Sequence, residues 1–156
     1  MPLSMPLSAA AGDAQDHALI RHLGHAGLIP LVALALLVWL VKPDLQAWVA
    51  LALAAYAALI ASFLGGIHWG IGWSQMARMP DGKVHFVWGV VPSLLAWPGL
   101  VMPPYAGLAW LGLVLIVCYL VDRKLYAQAG LTSWLKLRFR LSAIAALSCF
   151  IGAGAL

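Results

Sequence analysis

The stretch LQAWVALALAAYAALIASFLGGIHWGIGW, residues 45–73, contains no charged residue and is longer than a membrane-spanning helix requires. A helix crosses the hydrocarbon core of a bilayer with about 20 predominantly apolar residues. A longer apolar stretch is accommodated by tilt or by overhang into the interface. This stretch therefore predicts a transmembrane helix, and the remaining spans are placed on either side of it.

The composition of the whole chain is that of an integral membrane protein. Only 9 Lys and Arg and 5 acidic residues occur among 156 residues, and 64% of the residues are hydrophobic. The mean hydropathy is +0.96. A soluble domain with so few charges would lack the polar surface that faces water.

Five transmembrane helices are predicted, over about residues 24–41, 45–73, 84–102, 105–121 and 137–156. Polar or proline-bearing breaks such as Pro80-Asp81-Gly82 and Pro103-Pro104 separate them. The expected fold class is an all-α, polytopic bundle over residues 24–156, preceded by a cytoplasmic or interfacial segment, 1–23. The last span carries Arg138 and Arg140, whose side chains would have to snorkel to the interface.

The basic residues predict the orientation of the bundle. With five spans, one face of the membrane holds Arg21, Arg78, Lys83, Arg123, Lys124, Lys136, Arg138 and Arg140. The other face holds Lys42 alone. Because Lys and Arg concentrate on the cytoplasmic side, the N-terminus is expected in the cytoplasm and the C-terminus outside. The net charge of +4 reflects this asymmetry and does not indicate a nucleic-acid partner.

A row of small residues spaced by four runs through the second span. Its members are Ala50, Ala54, Ala58, Ser62, Gly66, Gly70 and Ser74. Small residues on one helix face allow another backbone to approach closely in lipid. The row, with Ala54, Ala58, Ser62, Gly66 and Gly70 at its centre, predicts a helix–helix contact inside the protein. A dimer or partner interface is the alternative.

Three ionisable residues are expected to meet near the cytoplasmic end of the bundle. His68 lies toward the end of the second span, His85 in the first turn of the third, and Asp122 at the end of the fourth. Ionisable side chains at membrane depth usually face the bundle interior and pair with one another. The predicted cluster is therefore His68, His85 and Asp122, with Arg123 close by to offset the charge of Asp122.

Several interpretations of this cluster stay open. It is a hydrogen-bonded polar cluster without further chemistry, or a proton-carrying or quinone-binding site, or a haem site with His68 and His85 as axial ligands. Two His and one Asp are too few for a dedicated divalent metal site. We expect no resident cofactor and no metal. An intramembrane enzyme is a third alternative, but no Ser-His pair, carboxylate dyad or metalloprotease motif supports it, so no catalytic residue is expected.

Three elements of the sequence resemble the domain of unknown function 3429 family. They are GIHWG at residues 66–70, WGVVPSLLAW at residues 88–97 and YLVD at residues 119–122. The likeness extends from the first span through Arg140. The family includes bacterial inner-membrane proteins and the mitochondrial protein called transmembrane protein 69. The resemblance implies a small polytopic protein of a bacterial or mitochondrial inner membrane, and it implies no activity, substrate or catalytic residue.

The expected function is that of a non-enzymatic accessory or assembly protein. The bilayer is its expected environment, and a membrane protein complex or a homo-oligomer its expected partner. The alternative is a small-ligand protein, for a quinone or a lipid, or a proton-handling protein, with its site at His68, His85 and Asp122.

Overall fold

The computed structural model describes residues 7–76 and 82–156 and is all-helical over them. The helices are α1 (Leu7–Ala26), α2 (Ile29–Leu40), α3 (Pro43–Ser74), α4 (Lys83–Val101), α5 (Pro104–Gln128) and α6 (Leu135–Ala153), with a short 3-10 helix over Thr132–Trp134 before α6. The all-α fold class is confirmed. The predicted loop residue Arg78 lies outside the described residues.

Four helical stretches among the described residues are long and apolar enough to cross a membrane, as in a multi-pass membrane protein. They are Gln15–Leu40, Pro43–Ser74, Lys83–Val101 and Pro104–Gln128. The first stretch consists of the end of α1 and the whole of α2, with an interruption of the helix at Gly27 and Leu28 between them. Helix α2 alone has only 12 residues. The fifth predicted span corresponds to α6, which is 19 residues long but carries three basic residues in its first six.

Helix α3 lies at the centre of the bundle and packs against α2, α4, α5 and α6. Its buried side chains recur at alternating intervals of four and three residues. They include Ala50, Ala54, Ala57, Ala61, Leu64, His68 and Ile71. This is the spacing that keeps one seam of a helix facing its neighbours over many turns.

The predicted row of small residues on α3 is therefore only partly a packed face. Ala50, Ala54 and Ala58 are buried, but Ser62, Gly66, Gly70 and Ser74 are exposed, and a Cβ atom added to Gly66 or Gly70 would meet no atom within 4 Å. Four residues turn an α-helix by about 400°. A strict spacing of four thus drifts by about 40° at each step and leaves the packed seam. The prediction that Gly66 and Gly70 pack inside the protein was wrong.

Other glycines make the close helix–helix approaches. A Cβ atom on Gly65 of α3 would collide with the backbone oxygen of Gly89 on α4, and one on Gly107 of α5 would collide with that of Gly99 on α4. Small residues at these crossings let the two backbones touch. The Gly65–Gly89 contact brings the end of α3 against the beginning of α4, next to His68 and His85.

Candidate functional site: a buried polar cluster

Four helix ends meet at one end of the bundle and place polar side chains in its interior. Helices α3 and α5 finish there, and α4 and α6 begin there. His68 and Asp122 each lie six residues before the last residue of their helix, whereas His85 and Arg138 lie two and three residues after the first. All four therefore lie within about 9 Å of a helix end along the helix axis.

The structure brings His68, His85 and Asp122 into direct contact. The Nδ1 atoms of His68 and His85 are 3.0 Å apart, and Nε2 of His68 is 2.8 Å from Oδ1 of Asp122. The three side chains are 0%, 1% and 1% exposed, respectively. The predicted convergence is thus seen at hydrogen-bond distance, across three consecutive spanning helices.

Asp122 accepts further hydrogen bonds from two side chains that were not part of the predicted cluster. The Trp88 indole Nε1 donates to Oδ1 over 3.1 Å, and Arg138 donates to Oδ2 from Nε over 3.0 Å and from Nη2 over 2.7 Å. Nη1 of Arg138 donates to the hydroxyl of Ser142 one turn further along α6. We call His68, His85, Trp88, Asp122, Arg138 and Ser142 the polar cluster.

The hydrogen-bond pattern limits where the protons of the cluster can lie. An ionised carboxylate only accepts hydrogen bonds, so Nε2 of His68 is the donor to Asp122 when Asp122 is ionised. In neutral His68, Nδ1 is then an acceptor, and Nδ1 of His85 must be the donor to it. When both imidazoles are neutral, the charge of Asp122 is offset by Arg138 and the cluster carries no net charge.

The predicted partner Arg123 does not belong to the cluster, because its side chain is exposed. Neighbouring residues on a helix point about 100° apart, so Arg123 cannot face inward together with Asp122. Arg138 takes that place, with a side chain 7% exposed. Arg138 was expected to snorkel, but its ion pair with Asp122 offsets the free-energy cost of burying its charge.

Two signals in the sequence could have identified Arg138. Arg138 and Arg140 are two residues apart and point to nearly opposite sides of α6, so one of them faces the bundle when the other faces away from it. Arg138 also begins a series with spacing four and three that continues through Ser142, Ala145, Cys149 and Gly152, all of them buried. Such a series marks the inward seam of a helix.

The surroundings of the cluster are closely packed. The Tyr126 ring, 5% exposed, lies 5.3 Å from that of His68 between ring centroids. Among the described residues every buried side-chain nitrogen and oxygen has a hydrogen-bond partner. The direct contact of the two Nδ1 atoms leaves no space between them for a metal ion. No group of three or more His, Cys, Asp or Glu is placed to hold a metal within residues 7–76 and 82–156.

This geometry defines a helical membrane protein with a hydrogen-bonded cluster of ionisable side chains buried at one end of its bundle. The family described as "Protein of unknown function (DUF3429)" matches residues 17–154, and the chain belongs to that family. Comparisons with curated proteins and with solved structures gave no match. The matched region includes every residue of the polar cluster.

Proposed function

We propose that the protein is a non-enzymatic, multi-pass protein of a bacterial inner membrane, or of the mitochondrial inner membrane in a eukaryote, whose polar cluster takes up a proton. The observation that carries this proposal is the Nδ1–Nδ1 hydrogen bond of 3.0 Å between His68 and His85, continued from His68 to Asp122. Histidine is the side chain whose charge changes near neutral pH. A pair of linked histidines in a membrane interior is suited to respond to a proton.

When both imidazoles are neutral at the start, the response to acid follows from the hydrogen-bond pattern. One added proton at Nε2 of His85 leaves Nδ1 of that residue as a donor, so the His68–His85 bond persists. A second proton would have to occupy Nδ1 of His68, where two N–H groups would then face each other. Strong acid is therefore expected to break the contact between α3 and α4 at this point.

The chain of hydrogen bonds supports a local protonation site rather than a path across the membrane. Beyond Asp122 it reaches Arg138, whose guanidinium holds its protons at any pH at which proteins fold. A proton entering at His85 can reach Asp122 by moving along two hydrogen bonds. Arg138 cannot pass it further toward the middle of the bundle.

Nitrogen-15 NMR of histidine-labelled protein in lipid nanodiscs tests this proposal. At pH 8 we expect hydrogen on Nε2 of His68 and on Nδ1 of His85, and both residues should change together as the pH is lowered to 5. The exposed His25, which is not part of the polar cluster, is the internal control for the signals of the two buried rings. Two histidines that keep their neutral forms throughout, or that titrate without affecting each other, would contradict proton uptake.

A second candidate function, that of an accessory or assembly protein, is favoured by the outward part of the row on α3. Ser62, Gly66 and Gly70 are exposed, and the space above both glycines is open. The Ser62 hydroxyl lies 2.9 Å from that of Ser93 on α4, so a polar pair lies on the same face. A helix of a second copy or of another membrane protein could approach the α3 backbone here.

Bulky substitutions on this face test the assembly function. Gly66→Leu and Gly70→Leu should leave the fold intact but reduce cross-linking to a partner in native membranes. Ala143→Leu, at an exposed position on α6, is the matched control and should not reduce it. Cross-linking that is the same in all three variants would remove this candidate.

A further inference from the structure

An apolar groove opens beside the polar cluster, between α1, α3 and α6. Its volume is about 460 Å³, and its wall includes Leu23, Phe63, Ile67, Leu137 and Leu141, with Tyr126 and Arg138 at its base. Leu23 and Phe63 are 62% and 67% exposed at its rim. In a membrane such a rim faces lipid, so the groove is open to hydrocarbon chains and not to water.

Helix α1 makes one contact with the 3-10 helix and one with α6 along the groove. The His17 and Trp134 rings are 5.2 Å apart at one end, and a Cβ atom on Gly24 would lie 3.1 Å from the side chain of Leu141 at the other. A smaller cavity of about 120 Å³ continues the groove as far as Ala145 and shares Leu23, Leu64 and Leu141 with it. From Trp134, the last residue of the 3-10 helix, to Ala145 on α6 the two extend about 16 Å. One leaflet of hydrocarbon is about 15 Å deep, half of a core of about 30 Å.

Exposed basic residues flank the groove residues in sequence on both α1 and α6. Lys136 and Arg140 immediately precede the groove residues Leu137 and Leu141 on α6, and Arg21 follows Ile20 on α1; all three basic side chains are exposed. Against these three cations, the same part of α1 carries one exposed acidic residue among those whose side chains are described, Asp16. Three cations against one anion at the edge of an acyl-chain groove suit a negatively charged head group.

We infer that this groove binds one anionic phospholipid, with an acyl chain between α1 and α6 and its phosphate at Arg21, Lys136 and Arg140. Arg138 contributes to the wall but not to the charge at the mouth, because Asp122 neutralises it. The role of Arg138 is to fix α6 to α5, which holds this wall of the groove in place. The site is separate from the His68–His85 contact, and its occupation does not depend on proton uptake.

Native mass spectrometry of the protein released from vesicles tests this inference. The vesicles contain phosphatidylglycerol and phosphatidylcholine in equal amounts, and the lipid retained on each protein molecule is counted. We expect wild type to retain one phosphatidylglycerol in preference to phosphatidylcholine. The double variant Lys136→Gln/Arg140→Gln should retain at least fivefold less phosphatidylglycerol, and Leu23→Trp, which fills the groove, should lose the retained lipid.

The matched control is Arg123→Gln/Lys124→Gln, which removes two exposed charges from the same end of the bundle without touching a neighbour of a groove residue. It should retain lipid as wild type does. Four outcomes would each overturn the inference. The two double variants could lose lipid equally, or wild type could retain the two phospholipids equally. Wild type could also retain a quinone in place of phospholipid, or inorganic phosphate could displace the lipid. Circular dichroism of every variant verifies the fold. Thermal unfolding is a second readout: added phosphatidylglycerol should protect wild type against heat but not Lys136→Gln/Arg140→Gln.

Discussion

Arg138 on α6 donates two hydrogen bonds to the same carboxylate oxygen of Asp122 on α5, from Nε over 3.0 Å and from Nη2 over 2.7 Å. Both side chains are almost entirely buried. This ion pair fixes the rotation of α6 and allows a helix with three basic residues in its first turns to pack in the bundle.

Asp122→Asn is expected to lower the free energy of unfolding by about 3–5 kcal/mol, since the guanidinium of Arg138 would stay buried without its counter-charge. Reversible unfolding in mixed detergent micelles measures the loss. Arg123→Gln, at the neighbouring exposed position, should change stability by less than about 0.5 kcal/mol. Similar losses in the two variants would show that Asp122 and Arg138 are not a buried pair.

The double variant Asp122→Asn/Arg138→Gln should be less destabilised than the two single variants added together. Removing both charges leaves neither one buried alone. Residues in one network typically show interaction energies of about 0.5–3 kcal/mol. Additive losses, measured under the same conditions as the single variants, would count against direct coupling.

Trp88→Phe should destabilise the protein by about 1.5–3 kcal/mol, the range for a hydrogen bond to a charged group, because Asp122 loses the indole N–H donor. Phenylalanine keeps most of the apolar volume. Trp97→Phe is the control, at a position 66% exposed, and should have little effect. Equal tolerance at both positions in unfolding measurements would argue that the Trp88–Asp122 bond contributes nothing.

Gly65→Ala is expected to cost about 1–3 kcal/mol, as overpacking does, because the new methyl group would meet the backbone of Gly89. Gly66→Ala adds the same group one residue along α3 into open space, so stability should be unchanged or increase by up to about 1 kcal/mol. Thermal unfolding of both variants in one detergent makes the comparison. The reverse order would mean that α3 is rotated relative to the structure described.

Reporter fusions test the orientation that the basic residues predict. Alkaline phosphatase fused after Leu156 should be active, and a fluorescent protein inserted between residues 77 and 81 should fluoresce, because the first functions outside and the second in the cytoplasm. The asymmetry of eight basic residues against Lys42 supports this orientation. Fluorescence from a fusion after Leu156 would mean that α6 does not cross the membrane.

Hydropathy alone determined much of this protein. The long apolar runs at residues 45–73, 84–102 and 105–121 predict helices that the structure places at Pro43–Ser74, Lys83–Val101 and Pro104–Gln128. The depth of His68, His85 and Asp122 also followed from sequence, since each lies a fixed number of residues from a helix end and consecutive spans are antiparallel. Both inferences depend only on rise per residue and on the cost of polar groups in lipid.

Only the tertiary structure decided which face of each helix is inward. A rotation of α3 by one residue, about 100°, separates the packed Gly65 from the open Gly66. The rotation of α5 and α6 was equally unknown from sequence. For that reason Arg123 was expected beside Asp122, whereas the structure places Arg138 there. In a bundle whose helices are apolar on all sides, hydrophobic periodicity reports this rotation only weakly, and the series of small and polar residues that begins at Arg138 on α6 is an exception. Close backbone contacts and the pairing of buried charges set it, and both depend on neighbouring helices.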